Sequence, residues 1–410
     1  MRKIMDNGQG IIDNGQLTMD NSELPKGWEI KNFEDSLEKV VYTNKIKRKK
    51  FLVNGKYPIV SQEHNLINGY WDNSDDLFKI KKPVVIFGDH TKIVKYINFD
   101  FVLGADGVKI LQPKKEIDSK YFYYYLLNFD LGNLGYARHY RLLKKIEIHY
   151  PKSLKEQKRI VSILDRAFEA IDKAKANAEQ NLKNAKELFE SYLQGVFENK
   201  GDDWKELSIK NLTELVTKGS SPKWQGINYV GKGGVFFLTS KNVGEGILLL
   251  DNKKYLEKKF NDIQKTSILK KGDVLTNIVG ASIGRTAIFD LDEITNINQA
   301  VCLMRCLPEK IYNYYLMFLL NSPFFKNILH DNEVNNARAN LSLTFFKNLV
   351  IPLPTLSEQQ EIVEKIKLFS AKTKKLESIY QQKINDLEEL KKSILQKAFA
   401  GELTEKEIAL

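Results

Sequence analysis

One long stretch of the sequence occurs twice, at residues 154–197 and again at 356–399, with no insertion or deletion between the copies. Both copies begin with Leu-x-Glu-Gln and end with Leu-Gln-x-x-Phe. The shared residues are Leu154, Glu156, Gln157, Leu193, Gln194 and Phe197 in the first copy, and Leu356, Glu358, Gln359, Leu395, Gln396 and Phe399 in the second. In a helix, one added residue turns everything beyond it by about 100°. A gapless match over this length therefore predicts a long helix in each copy.

The spacing of apolar residues supports the helical interpretation. In the first copy Ile160, Leu164, Phe168 and Ile171 recur at three- and four-residue steps, with polar residues between them, which is the pattern of an amphipathic helix. Neither copy contains an internal proline. Each helix would be about 65 Å long at a rise of 1.5 Å per residue, too long to lie unsupported on a small domain. We expect the two helices to pack on each other, because two unrelated surface helices would not require a gapless match.

The repeat extends beyond the helices. Trp28 and Trp204 each lead into Ile-Lys-Asn and a large apolar residue. The resulting division is a disordered N-terminal tail (1–23), a first globular domain (24–152), a long helix (153–200), a second globular domain (201–354), a second long helix (355–403) and a C-terminal tail (404–410). The sequence thus predicts an α+β protein. Two globular domains of mixed strand and helix are separated by two long helices, which pack as an antiparallel coiled coil with pseudo-twofold symmetry.

The composition suggests a polyanionic partner, with surplus lysine for solubility as the alternative. The formal net charge is +11 and the pI is near 9.1, as in many proteins that bind nucleic acid. No apolar run reaches the length of a membrane span, and the first residues do not resemble a signal peptide, so we expect a cytoplasmic protein. Cys302 and Cys306 have no second pair and are expected to be reduced, buried packing residues.

Motifs for catalysis and cofactor binding are missing from the sequence. It contains no Gly-x-Gly-x-x-Gly followed by an acid, no Walker loop, no His-Glu-x-x-His and no Asp-Pro-Pro-Tyr type motif. The five histidines do not have metal-ligand spacing. We therefore expect no catalytic residue, no cofactor and no metal, although a nuclease with scattered carboxylates is an alternative.

Polar and basic segments in both globular domains are candidate DNA contacts, because Arg, Lys, Asn and Gln read base edges and hold phosphates. In the first domain the candidates are Lys45, Lys47, Arg48, Lys49, Arg138, His139, Tyr140 and Arg141. In the second they are Thr239, Ser240, Lys241, Asn242, Asn277, Ser282, Arg285, Asn298, Gln299, Asn335 and Arg338. The alternative for each segment alone is a solvated loop; the recurrence in both domains favours DNA.

The two repeated stretches, with prolines just before them at Pro151 and at Pro352 and Pro354, resemble the two conserved regions of specificity subunits of type I restriction-modification systems. The resemblance covers residues 24–404. It also includes the segments 88–91, 135–141, 280–285 and 298–299, which are similar to motifs in the target-recognition domains of that family, and it adds Asp89, His90 and Thr91 to the candidate DNA contacts.

This resemblance implies a DNA reader without catalytic activity. Each globular domain would bind one half of a split double-stranded target, and the helices would set the distance between the halves. Two methyltransferase subunits, which use S-adenosylmethionine, would dock on the helices, and ATP-dependent restriction subunits would join them. The residues expected to dock these partners are Glu156, Gln157, Leu193, Phe197, Glu358, Gln359, Leu395 and Phe399.

Two alternatives remain open at this point. One is the specificity subunit of a related restriction system whose methyltransferase and nuclease share one polypeptide. The other is a coiled-coil scaffold that binds proteins and no DNA.

Overall fold

The structure, a computed structural model, describes residues 11–13, 16–18, 24–104, 107–129, 131–132, 138–335 and 341–403. Of the predicted N-terminal tail it describes only two short paired strands; the rest of that tail and the predicted C-terminal tail lie outside the described residues. The chain forms two compact units. Unit 1 comprises Met1–Glu179 and Gln382–Leu410, and unit 2 comprises Gln180–Gln381.

The strands of unit 1 are β1 (Ile11–Asp13), β2 (Gln16–Thr18), β3 (Trp28–Asn32), β4 (Lys45–Ile46), β5 (Tyr57–Val60), β6 (Gly69–Trp71), β7 (Leu77–Phe78), β8 (Val84–Gly88), β9 (Val94–Ile97), β10 (Phe101–Gly104), β11 (Val108–Leu111) and β12 (Glu147–Pro151). Its helices are α1 (Ser119–Leu127), α2 (Tyr140–Leu143) and the first part of α3 (Leu154–Glu198). The strands form sheets ordered β4-β10-β5-β6, with β7 on β10, and β11-β8-β9, while β1 pairs with β2 and β3 with β12.

The strands of unit 2 are β13 (Lys205–Ser208), β14 (Thr213–Lys218), β15 (Tyr229–Val230), β16 (Val235–Leu238), β17 (Tyr255–Leu256), β18 (Val274–Asn277), β19 (Thr286–Ile288), β20 (Thr295–Ile297), β21 (Val301–Cys306) and β22 (Val350–Leu353). Its helices are α4 (Lys259–Ile263), α5 (Asn313–Asn321), α6 (Pro323–Asn335), α7 (Leu343–Asn348) and the first part of α8 (Leu356–Phe399). The sheets are ordered β14-β21-β18-β19 and β15-β17-β16-β20, and β13 pairs with β22.

The two units share a set of strand pairings, although their full sheet orders differ and their sequences are hard to align outside the helices. In unit 1, β10 is parallel to β5, β8 is antiparallel to β9 and β11, and β3 is antiparallel to β12. In unit 2, β20 is parallel to β16, β18 is antiparallel to β19 and β21, and β13 is antiparallel to β22. The registers therefore give a residue-by-residue correspondence between the units.

The two predicted long helices are confirmed as α3 and α8, each of which begins in one unit and ends in the other. In unit 1 the start of α3 lies against the end of α8: Asp172 accepts a hydrogen bond from Lys391 at 2.9 Å, and Lys175 donates one to Glu388 at 2.6 Å. The residue number rises along one helix as it falls along the other, so the pair is antiparallel.

The other ends of these helices pack in unit 2. There Tyr192 of α3 stacks on Phe369 of α8, with ring centroids 4.4 Å apart. Both helices also contribute side chains to the cores of the units, for example Phe197 in unit 2 and Phe399 in unit 1. Among the described residues no helix combines the length and apolar composition that crossing a membrane requires.

Candidate nucleic-acid interface

In unit 1, the loop after β8 is fastened to the segment that leads into α2. The backbone oxygen of Asp89 accepts a hydrogen bond from the backbone N–H of His139 at 2.8 Å, and its Oδ1 accepts one from the N–H of Tyr140 at 2.8 Å. Asp89 itself donates its N–H to Gly107, directly before β11. Three segments separated in sequence therefore meet at one edge of the sheet.

A fourth segment, the loop that follows β5, joins this edge. The hydroxyl of Thr91 donates to the backbone oxygen of Gln62 at 2.6 Å, and the Oε1 of Gln62 accepts a hydrogen bond from the N–H of His90 at 3.2 Å. Arg48, in the predicted basic run, forms an ion pair with Glu63 at 2.6 Å. The basic run, the segment after β8 and the segment before α2 are thus brought together.

In unit 2 the corresponding loops are organised around Asn277, whose side chain is buried. Its Nδ2 donates to the backbone oxygen of Ser240 at 2.9 Å and to the Oγ of Ser282 at 3.2 Å. The following residue, Ile278, donates its N–H to Ala300 and accepts a hydrogen bond from the N–H of Leu341. The loops after β16, β18 and β20 therefore meet here, with the segment that leads into α7.

The two units use different residues to bond the end of a strand, β8 or β18, to the loop after β5 or β16. Gly88 pairs with Val108 in the β8–β11 register and Asn277 with Val301 in the β18–β21 register, so Gly88 and Asn277 occupy corresponding positions. A Cβ on Gly88 would lie 2.2 Å from the Thr91 Oγ1. In unit 1 the Thr91 hydroxyl fills this space and bonds to the loop after β5; in unit 2 the Asn277 amide makes the corresponding bond.

The turn that closes each β-hairpin ends in the same backbone conformation. Lys92 has φ = 61° and donates its N–H to Gly88, while Gly284 has φ = 86° and donates its N–H to Asn277. A left-handed conformation favours glycine and is strained for lysine. The shorter turn of unit 1 keeps a lysine there, and its Nζ donates to the backbone oxygen of Gly132 at 2.7 Å.

The predicted DNA contacts fall into three groups by exposure. The exposed side chains are Lys45, Lys47, Arg48, Lys49, Thr91, Arg138, Arg141, Lys241 and Arg285. The half-buried ones are His90, Tyr140, Thr239, Ser240, Ser282, Asn298 and Gln299. The buried ones are Asp89, His139, Asn242 and Asn277. Arg338 and the side chain of Asn335 lie outside the described residues.

The buried group requires a correction. Asp89, His139, Asn242 and Asn277 have between 0% and 6% of their surface exposed, so their side chains cannot touch DNA in this conformation. They bond instead to the loops: the Oδ1 of Asn242, for example, accepts from the N–H and the hydroxyl of Thr239, and its Nδ2 donates to the backbone oxygen of Leu249. The sequence predicts DNA contacts at these four positions, but in the structure their side chains hold the loops in place.

Sequence reasoning missed the loop after β5. The registers of β5 and β16 place Ser61 at the position of Thr239, so Gln62, Glu63 and His64 correspond to Ser240, Lys241 and Asn242. Glu63 and Gln62 are half-buried and His64 is exposed. A sequence signal exists, because in both units a hydroxyl residue directly follows an apolar strand of four residues.

A second omission is Trp224. It lies in a 3-10 helix, Pro222–Gln225, and 80% of its side chain is exposed. Gly219, the residue after β14, donates its N–H to Asn298. A Cβ at this position would lie 1.7 Å from the backbone oxygen of Ile297, so only glycine fits. This close approach places the segment before Trp224 beside the predicted contacts at 298–299.

The residues predicted to dock partner subunits also need correction. Leu193, Phe197, Leu395 and Phe399 are buried in the cores of the units, and the amide side chains of Gln157 and Gln359 are fully buried. None of these six can form a docking surface, because each packs within its own unit. Glu156 and Glu358 are partly exposed but have internal partners: Glu156 pairs with Arg159, and Glu358 accepts a hydrogen bond from the Nε1 of Trp204.

In the described ranges, no group of three or more His, Cys, Asp and Glu side chains is arranged to hold a metal ion. Cys302 is buried and unpaired, and burial raises the pKa of its thiol to about 12. A thiol with a raised pKa is a poor nucleophile and a poor metal ligand.

Each of the two halves of the chain that carry a loop edge matches a known protein family. The sequence profile of the type I restriction modification DNA specificity domain matches residues 25–183 and 201–389, so the match occurs twice and covers most of the chain. The chain belongs to this family. It is a specificity subunit that recognises DNA sequence within a type I restriction-modification system, together with the other subunits of that system.

Several relatives carry the same designation. The EcoBI specificity subunit of Escherichia coli is 27% identical over 371 residues, which are 82% of this chain and 75% of the relative. The MjaVIII specificity subunit of Methanocaldococcus jannaschii is 24% identical over 429 residues, with 94% and 95% covered. These matches do not favour the two alternatives, a related system with a fused partner or a scaffold without DNA binding.

Solved structures show the same fold. A chain from a study of complex assembly and conformational transition of the type I restriction-modification system superposes with a TM-score of 0.70 at 17% identity, covering 93% of this chain and 100% of that one. The HsdS subunit from Thermoanaerobacter tengcongensis gives a TM-score of 0.55 at 19% identity, covering 94% and 99%. The predicted α+β fold with two long helices is thereby confirmed.

Proposed function

We propose that this specificity subunit reads a bipartite DNA target, with one half-sequence bound at the loop edge of each unit. The observation that carries the proposal is the correspondence of the two edges. In unit 1 the Thr91 hydroxyl, in the turn after β8, donates to the backbone oxygen of Gln62, the second residue after β5. In unit 2 the Asn277 amide, at the end of β18, donates to the backbone oxygen of Ser240, the second residue after β16. The two loop edges have the same backbone arrangement but expose different side chains. Such a pair of edges can recognise two different half-sequences.

Within each edge, the exposed cations are assigned to phosphates and base edges. Lys47, Lys49 and Arg138 are exposed in unit 1, as are Lys241 and Arg285 in unit 2. Phosphate contacts set the position of a protein on DNA, and contacts to base edges set the sequence. The side chains at positions 90, 240 and 298–299 are half-buried, and ordering them on DNA costs less entropy than ordering a long exposed lysine, so they are the better candidates for reading bases.

The subunit is proposed to catalyse no reaction itself. Methyltransferase subunits that bind S-adenosylmethionine would modify adenine, and ATP-dependent restriction subunits would cut DNA. The two long helices connect the units, and their length is proposed to fix the spacing between the half-sequences.

The docking surface for methyltransferase subunits is reassigned to exposed apolar residues of the helices. Leu368, Leu376 and Ile379 of α8 are 60%, 39% and 50% exposed. At about 100° per residue they lie within about 80° of one another, away from the buried Ile366 and Thr373. Apolar side chains that share one exposed face form a patch of the kind that marks a protein–protein contact.

This docking surface can be tested with the corresponding positions of α3 as a matched control. In the gapless repeat, Leu368 and Ile379 correspond to Arg166 and Asn177, which are exposed and polar. The double variant Leu368→Asn, Ile379→Asn should weaken binding of the co-expressed methyltransferase subunit at least tenfold, because burial of each apolar side chain contributes about 1.5–3 kcal/mol. Arg166→Ala with Asn177→Ala should change it little. Equal effects of the two double variants on the measured affinity would refute the assignment.

The bipartite reading is tested by mapping methylated adenines in the genome of a host that expresses this subunit with its methyltransferase partner. Two short sequences separated by a fixed gap are expected at every modified site. A single uninterrupted recognition sequence would contradict the proposal.

A further inference from the structure

Lys95 is a buried cation in strand β9 of unit 1. It is 5% exposed, and its Nζ donates to the backbone oxygens of Ser61 (2.8 Å) and Asn65 and to the Oδ1 of Asn68 (3.1 Å). These three acceptors use all three ammonium hydrogens. Its acceptors are all uncharged, so the cation is stabilised by dipoles.

The acceptors of Lys95 all belong to the loop between β5 and β6, which begins at Ser61 and contains Gln62, Glu63 and His64. Asn68 also accepts a hydrogen bond from the N–H of Ser61 at 2.9 Å. One lysine side chain therefore fastens the beginning, the middle and the end of this loop. The loop is the part of the unit 1 edge that contacts both Arg48 and Thr91.

Unit 2 fastens its corresponding loop without a charge. The registers of the two hairpins place Ala287, which is fully buried, at the position of Lys95. The loop after β16 is held instead by the neutral side chain of Asn242. A neutral group is thus sufficient to close such a loop. A buried ammonium is the more costly solution, because a charge removed from water loses its hydration.

The charge on Lys95 is sensitive to pH. Burial lowers the pKa of its ammonium to about 8, and the carboxylate of Glu63 opposes that shift. Because the pKa lies below the usual value of 10.5, the proton leaves the folded protein as the pH rises through 8. The neutral amine has two N–H groups for three acceptors, so at least one hydrogen bond to the loop is lost, together with a positive charge behind the DNA-reading edge.

We propose that Lys95 is the positioning residue of the unit 1 reading loop, so that recognition of the unit 1 half-sequence, and not of the unit 2 half-sequence, requires the ammonium form of Lys95. The inference rests on the proposed bipartite function. If DNA binding needs the protonated side chain, affinity for the unit 1 half falls by up to about tenfold for each pH unit above 8.

The experiment uses the complete complex with its methyltransferase subunits. Its affinity is measured for three duplexes: the cognate site, the site with the unit 1 half scrambled, and the site with the unit 2 half scrambled. The ratio of cognate to scrambled affinity gives one discrimination value per half, at pH 7 and at pH 9. Lys95→Met removes the charge at similar volume, and Asn242→Ala is the matched variant of unit 2.

In the wild-type complex the unit 1 discrimination should fall at least fivefold between pH 7 and pH 9, while the unit 2 discrimination stays constant. Lys95→Met should show the low unit 1 value at both pH values, and Asn242→Ala should lower only the unit 2 value, without pH dependence. A pH-independent unit 1 value in the wild type would overturn the proposal, whatever the variants do. So would full unit 1 discrimination in Lys95→Met, or the loss of both values in that variant.

Failure of the bipartite function would look different. The wild-type complex would then show no discrimination for one or both halves already at pH 7, where Lys95 is protonated.

Discussion

Gln157 and Gln359 make the same three hydrogen bonds in different units. In unit 1 the Nε2 of Gln157 donates to Glu116 and Pro151, and its Oε1 accepts from the N–H of Asp118. In unit 2 the Nε2 of Gln359 donates to Lys310 and Pro354, and its Oε1 accepts from the N–H of Tyr312. Each glutamine joins the proline just before a long helix, Pro151 or Pro354, to the N-cap residue of the aromatic helix α1 or α5, Asp118 or Tyr312.

Replacing either glutamine with alanine should destabilise the unit that contains it. Each change leaves buried backbone groups without partners, at about 1–3 kcal/mol for an unsatisfied group. The effect is measured as the loss in free energy of unfolding of each unit, from hydrogen exchange at increasing urea concentrations. Gln180→Ala is the control: this side chain is exposed and donates a hydrogen bond to Asn184 of its own helix. Equal losses for Gln157→Ala and the control would contradict the assignment.

The phenylalanines that end the two long helices should act on opposite units. Phe399 packs edge-on against Tyr121 and Tyr125 in unit 1, with centroids 5.3 and 5.0 Å apart, and Phe197 packs against Tyr315 in unit 2 at 5.6 Å. Truncation of a buried phenylalanine to alanine costs about 3–5 kcal/mol. We predict that Phe399→Ala increases hydrogen exchange in the strand pair β3–β12 and that Phe197→Ala does so in β13–β22. Loosening of the same pair by both variants would refute the prediction.

The sequence predicted the helices better than the reading edges, for physical reasons. A long helix is specified locally by period and gapless length, so α3 and α8 could be predicted nearly to the residue. The loop after β5 was missed because its correspondence to Thr239–Asn242 depends on parallel pairing with a strand about 40 residues away. A lysine is rarely buried, and only the packed loop shows that the amine of Lys95 is buried.

Dependence on long-range contacts also explains why the predicted docking residues were wrong. The repeated Leu-Gln-x-x-Phe motif lies on a mainly polar helix and was interpreted as a surface, but Tyr121 and Tyr315, distant in sequence, cover its phenylalanines. Whether an apolar residue faces a partner or a core is decided by such long-range contacts.

DNA binding should depend steeply on salt. If the exposed cations of the two edges neutralise roughly six phosphates, the logarithm of the binding constant falls with the logarithm of salt concentration with a slope near −5. Fluorescence anisotropy of a labelled duplex at several salt concentrations measures this slope. A slope near zero would contradict DNA binding by these edges.

The spacing between half-sequences should follow the length of the helices. Seven residues inserted after Asn177 and after Ile379 nearly preserve the apolar stripes and add about 10 Å to each helix. The gap between methylated half-sequences should widen by up to about three base pairs, at about 3.4 Å per pair. Two-residue insertions turn the stripe by about 200° and should abolish methylation. An unchanged gap in an active seven-residue variant would show that the helices do not set the distance.

The most direct test of the central claim, that each unit reads one half-sequence, is the methylation map of two single variants. His90→Ala changes a half-buried side chain of the unit 1 edge, and Gln299→Ala changes one of the unit 2 edge. A lost base contact costs about 1–3 kcal/mol at that position and relaxes the sequence read there. The account predicts that each variant alters the bases of one half only, and a different half in each case, while the gap is preserved. Variants that alter the same half, or both halves together, would contradict it.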